Sequence, residues 1–245
     1  MPSEIEFPVT LFLSKEKISL MPRDELSAFL QVLRIDNAIR TPMKLHLKLR
    51  DNPDGVESTK DKIDLMLQMV ATYYEGVRTF ARNLYPRLNV ARYLSPDRQV
   101  WFESLRERLN KLDEDYFLKM AATIRDKIVG HFDHDVILSS ITEGTATEDF
   151  LFAYLKDATV NGFVAVEPYS MVGGFLSKLL PPEVPKDDTW IWINNTAFRE
   201  ADLFCRFLEH FSAAFAAENG VKQRGLPWGM AAKHSDPSDE QMMRI

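Results

Sequence analysis

Apolar residues recur along this chain at alternating steps of three and four, the spacing that lines one face of an α-helix. Ile63, Met66, Val70, Tyr73, Val77, Phe80 and Leu84 form one continuous stripe, where a strand would need alternation at every second residue. Ala197, Ala201, Phe204, Leu208, Phe211 and Phe215 form another, and Gly220 is placed to end that helix. Two more helices are expected in WFESLRERLNKL and, after the acidic break at Asp113 to Asp115, in YFLKMAATIRDKIV. A first helix should begin after Pro22, with Asp24 and Glu25 in the turn where the helix dipole favours acids. Its stripe reads Leu26, Phe29, Leu33, Asp36, Arg40, Met43 and Leu47, and Pro42 is expected to kink it. Asp36 and Arg40 stand four apart and can pair. Either a slight rotation delivers both to solvent, or they make a polar feature inside the bundle or at an interface.

Two stretches break the helical pattern. DNPDGVEST, Asp51 to Thr59, is turn chemistry. Ser139 to Trp190 holds Gly144, the Gly173-Gly174 pair and PPEVP, and reads as an excursion. A short helix is expected there near Glu148 to Leu155, and a small strand pair from GFVAVEP and TWIWI. The whole predicts an all-α fold, an antiparallel up-down bundle of four to five long helices with an irregular excursion before the last. Residues 1–22 read as an N-terminal extension and 23–226 as one helical domain with an irregular insertion at about 139–190. Residues 227–245 read as a mobile tail.

Composition adds little to this picture. An apolar share of 45% and a charged share of 27% are ordinary for a globular protein. The single cysteine, Cys205, lies in an apolar helical pattern and reads as a core residue in a reducing compartment. The N-terminus carries acids where a signal peptide carries bases, and no apolar run approaches membrane length. A cytoplasmic protein without membrane association is expected.

Charge changes more. A net −6 argues against constitutive, high-affinity nucleic-acid binding, which needs basic surface. The average conceals an asymmetry. From Arg78 to Lys111 eight bases face three acids, a local +5, whereas Phe132 to Asn219 carries 14 acids and five bases, a local −9. Two solvated faces of opposite sign would explain this, as would a phosphate-facing patch around Arg78 and Arg82.

The candidate chemistry lies in IRDKIVGHFDHD, Ile124 to Asp135. Gly130 can end a helix, and the negative end of that helix favours the protonated imidazole of His131. Arg125 stands six residues earlier, about 240° around an α-helix, so a partner surface would have to complete any site. Taken alone, the pair also fits carbonyl capping and pairing with acids. His131, Asp133, His134 and Asp135 offer metal-ligating groups, but four ligands in five residues rarely converge on one ion, and no metal or other cofactor is expected. Asp133 and His134 read as supporting groups or as water-facing. His46 and His210 read as satisfied surface or interface residues, and the Gly173-Gly174 pair lacks the spacing of a phosphate loop.

Arg125, the polar Asp126, the spacer Lys127 to Gly130 and then His131, ending a helix in an all-α chain, resemble the motif of the HEPN superfamily. RDKIVGHFD is similar to the bacterial branches associated with abortive infection and toxin–antitoxin systems. The resemblance implies a homodimer with two motif copies facing each other across a cleft, and a metal-independent RNase. Under it, Arg125 holds the scissile phosphate, His131 is general acid or base, and Asp126 orients one of them. Asp133, His134, Asp36 and Arg40 would support the site, and Arg78, Arg82 and Lys127 would bind RNA. Without a metal the nucleophile must be the RNA 2′-hydroxyl, so DNA should be inert. An antitoxin or a nucleotidyltransferase is the implied protein partner. The alternative is a non-catalytic HEPN-like dimeric scaffold or nucleotide- or RNA-binding module. A third reading, a helical partner-binding protein with no phosphate site, predicts that Arg125 pairs with an intramolecular acid.

Overall fold

Among the described residues, the apolar stripes fold into five α-helices: α1 (Arg23–Arg50), α2 (Val56–Thr79), α3 (Pro96–Asn110), α4 (Tyr116–Thr123) and α5 (Thr189–Glu218). The computed structural model describes residues 9–12, 21–50, 56–86, 90–129, 153–157, 162–166, 173, 175–219 and 222–225. Asp24 and Glu25 occupy the first turn of α1, and the helix continues through Pro42. Pro96 starts α3 directly after Ser95, a position where its missing N–H costs nothing. Asp115 caps α4, accepting a hydrogen bond from the Leu118 N–H at 2.8 Å. Both α2 and α4 run on into π-helical turns, at Phe80–Leu84 and Ile124–Val129.

Ring contacts fix the helix directions. Phe29 of α1 stacks on Phe215 of α5, with centroids 4.5 Å apart, and His46 lies 5.0 Å from Phe198, so α1 and α5 run antiparallel. Tyr73 meets Phe204 while Phe80 meets Phe207 and Phe211, so α2 runs with α5. Phe102 packs on Phe207 while Arg108 reaches back to Glu200, so α3 is again antiparallel to α5. The first three helices therefore alternate in direction, and the fold is all-α. From α2 and α5, both predicted stripes face the core, with Ile63 alone half-buried.

In α1 the buried face differs from the expected one. Ala28, Phe29, Val32 and Ile39 are buried, Leu33 and Met43 are half-buried, and Leu47 is exposed. The helix is rotated so that Val32 and Ile39 enter the core and Asp36 and Arg40 sit at its margin. The rotation also brings α1 against Gly76 of α2. A Cβ there would lie 2.7 Å from Ile35 Cγ2 and 3.3 Å from Ile39 Cδ1. Because Ile35 is β-branched and cannot swing aside, Gly76→Ala is expected to destabilise by about 1–3 kcal/mol. A urea melt reads this directly, and an unchanged midpoint would contradict the close approach.

The excursion corrects two expectations. TWIWI is the start of α5 and not a strand. Ile191 is 61% exposed while Ile193 is fully buried, whereas a strand would put both on one face. Burial instead follows Thr189, Ile193, Ala197 and Glu200, a helical period. GFVAV does form a strand, β3 (Gly162–Val166), but its antiparallel partner is β2 (Ala153–Asp157), with Ala153 opposite Val166 and Asp157 opposite Gly162. Residues 153–155 are thus extended where a helix was expected, and 148–152 lie outside the described residues. A second ribbon joins distant parts of the chain. From within the expected N-terminal extension, β1 (Val9–Phe12) pairs antiparallel with β4 (Lys222–Gly225), Val9 opposite Gly225.

One buried polar network ties four elements together. Glu200 of α5 is almost fully buried and accepts hydrogen bonds from the Tyr73 hydroxyl at 3.4 Å and from Arg108 Nη1 at 3.1 Å. Arg108 Nε also donates to Asp115, the cap of α4, at 2.6 Å. Burial, followed by the Glu200 charge, pushes the Tyr73 phenol well above its ordinary range and keeps it a donor. Among the described residues, no helix is long and apolar enough to cross a membrane.

Candidate functional site

Arg125 sits in the π-helical turn that extends α4. π turns are rare and recur at functional sites, because the extra residue re-aims the side chains that follow. The α-helical step of about 100° per residue therefore does not hold through Ile124–Val129. Arg125 Nη1 donates to Asp126 Oδ1, and Nε lies 3.1 Å from Glu75 Oε2 across on α2. The hydrogen bond that Arg125 donates to Asp126, then the charge of Glu75, raise the pKa of a guanidinium that is already a permanent cation.

Beside Arg125 an open groove of about 820 Å³ runs between α1, α2 and the end of α4. Ala38 and Pro42 of α1, Thr72 and Glu75 of α2, and Val129 share its lining with Arg125. Small side chains leave the room. Pro42, having no N–H, also cannot supply the usual helical donor to the Ala38 carbonyl on this wall. A groove of this size accommodates a nucleotide-sized group.

The other predicted site residues divide. Arg78 is brought to the same spot, its Nη1 lying 3.9 Å from the very Glu75 oxygen that Arg125 approaches. Arg82 is exposed on the π turn after α2, and Lys127 is exposed on the turn that carries Arg125. Asp36 and Arg40 face α5 instead. Arg40 Nε donates to both Asp36 oxygens, at 2.9 and 3.1 Å, and its Nη2 lies 2.7 Å from Glu209. Both side chains are partly buried, so they form a polar seam between α1 and α5 and are absent from the lining of the groove. Next to them Cys205 is buried, and burial first, Asp36 second, push its thiol up so that it stays protonated. His210 is exposed on α5, more than two turns before its end, and partial desolvation, then the nearby Arg98, lower its pKa.

His131, Asp133 and His134 lie outside the described residues, as does the remainder of HFDHD. Among the described residues, no group of three or more His, Cys, Asp or Glu side chains is placed to hold a metal ion.

Glu75 is the site residue that the sequence does not announce. It lies off the apolar stripe of α2, and its one local signal is Arg78 three residues on. Its pairing with Arg125 depends on how α4 packs against α2. Comparison of the chain with protein-family models, with curated proteins and with solved structures finds no match.

Proposed function

We propose that this protein is a HEPN-like, metal-independent endoribonuclease of a defence or toxin–antitoxin type, working as a cytoplasmic homodimer. The observation that supports it best is the placement of Arg125: at the end of α4, on the wall of an open groove, with acids on two sides orienting its fork. Such a guanidinium can hold a phosphodiester through two parallel hydrogen bonds and stabilise the charge that builds on it. The RNA 2′-hydroxyl attacks phosphorus, the 5′-oxygen leaves, and a 2′,3′-cyclic phosphate and a 5′-hydroxyl result. His131 takes the proton from the 2′-hydroxyl or delivers one to the leaving oxygen, and the motif of the second subunit supplies the complementary step. Asp126 holds Arg125 in place. RNA is the substrate, and an antitoxin or nucleotidyltransferase is the protein partner.

A second reading has its own observation. Arg125 does pair with an intramolecular acid, Glu75, as a helical partner-binding protein with no phosphate site requires. The pair is half-exposed, and such pairs are worth roughly 0–1 kcal/mol, so a phosphate can displace it. A non-catalytic dimeric scaffold or nucleotide-binding module would keep the same groove. Incubating the protein with RNA and with DNA of the same sequence in EDTA separates these readings. The nuclease cuts the RNA and spares the DNA. A folded protein that cuts neither across several RNA sequences is the scaffold or the binding module.

A further inference from the structure

One oxygen of Glu75 is the meeting point of two arginines that the sequence placed in different candidate sets. Oε2 lies 3.1 Å from Arg125 Nε and 3.9 Å from Arg78 Nη1. That oxygen is buried and makes no aligned hydrogen bond among the described residues, although the rest of the side chain remains accessible. A buried carboxylate oxygen held by charge without a hydrogen bond is poorly compensated for its lost hydration. All three residues are half-buried, with side-chain exposures of 35% for Arg125, 44% for Glu75 and 38% for Arg78. Glu75 and Arg125 both line the open groove.

We propose that Arg125, on the wall of this groove, and Arg78, which reaches the same Glu75 oxygen from outside the groove lining, form a two-arginine phosphate site and that Glu75 is its resident counter-ion, displaced when a backbone phosphate of RNA enters. The proposal rests on reading Arg125 as the phosphate-holding residue and adds a second arginine and a built-in competitor. A phosphate suits the place for three reasons. The two guanidiniums converge on one oxyanion already, the groove is open enough for a nucleotide unit, and the competing carboxylate is weakly held. Glu75 therefore sets the affinity of the site. It keeps two neighbouring cations neutralised while the groove is empty, and it makes RNA compete for them.

The test uses the full chain with His131→Ala, so that bound RNA is not consumed, and reads binding of a fluorescent single-stranded RNA by anisotropy in EDTA. Glu75→Gln, which keeps shape and removes charge, is expected to tighten binding about fivefold, the worth of one partly exposed ion pair. Adding Arg125→Ala or Arg78→Ala to Glu75→Gln abolishes the gain, and inorganic phosphate competes more strongly with the Glu75→Gln protein. Glu183→Gln removes the same charge from an exposed turn and is expected to change binding less than twofold. Unchanged or weaker binding in Glu75→Gln overturns the proposal, as does an equal gain in Glu183→Gln or a gain that survives Arg125→Ala. Thermal melts of each variant confirm that folded protein is compared. The nuclease reading fails separately. Tightened binding without RNA cleavage by the unaltered protein retires the enzyme and keeps the phosphate site, whereas cleavage without tightened binding retires the role of Glu75.

Discussion

Arg125→Ala is expected to slow RNA cleavage by about 10²–10³-fold, the usual cost of removing one preorganised donor from developing oxyanion charge. Stability should move by no more than about 1 kcal/mol, because the contacts of Arg125 with Glu75 and Asp126 are half-exposed. Arg125→Lys should recover only part of the rate, since an ammonium is a point charge and cannot present the guanidinium fork. His131→Ala removes proton transfer and is expected to cost about 10²–10⁴-fold. Single-turnover rates measured beside thermal melts separate these effects from unfolding. A rate that survives both alanine variants would place the chemistry elsewhere in the molecule.

Phe80→Ala is expected to destabilise the fold by about 3–5 kcal/mol, well beyond the effect of Gly76→Ala. Its ring has no exposed surface and stands edge-on to Phe102, Phe204, Phe207 and Phe211, with centroids 5.0 to 6.2 Å away. These rings come from α3 and α5, so the residue joins three helices at once. Edge-to-face pairs add to the value of simple burial, and the surrounding rings are too rigid to close the cavity. Urea denaturation should show a lower midpoint with an unchanged slope. A loss below about 1 kcal/mol would mean that this aromatic cluster collapses freely.

How much of the molecule can be read from the sequence depends on how much of it is set by local burial. Helices α2 and α5 are legible because each has one unbroken apolar face and every predicted core position in α5 is buried. In α1 the line through Asp36 and Arg40 is ambiguous, since apolar residues also occur at Val32, Ile35 and Ile39. Packing against Gly76 selects that second line. TWIWI misleads because aromatic and β-branched residues at period two favour a strand, while the buried set it joins, Ile193 to Phe215, has a helical period. The pairing of β1 with β4 joins segments more than two hundred residues apart in sequence, which no local pattern encodes. At the site, Arg125 and Asp126 are visible as a motif, and their contact is a neighbour effect. Glu75 becomes visible only when α4 is laid on α2. The π turn that carries Arg125 leaves no composition signal, because Ile124–Val129 contains no Gly or Pro to mark a break in the helix.

The most direct measurement is end-group analysis of RNA incubated with the intact protein in EDTA. Cleavage by the 2′-hydroxyl leaves a 2′,3′-cyclic phosphate and a 5′-hydroxyl, and replacing the 2′-hydroxyl at the cleaved nucleotide with hydrogen stops the reaction. Fragments ending in 5′-phosphate, cleavage that appears only when a divalent cation is restored, or no cleavage of any RNA by the folded protein would contradict a metal-independent RNase.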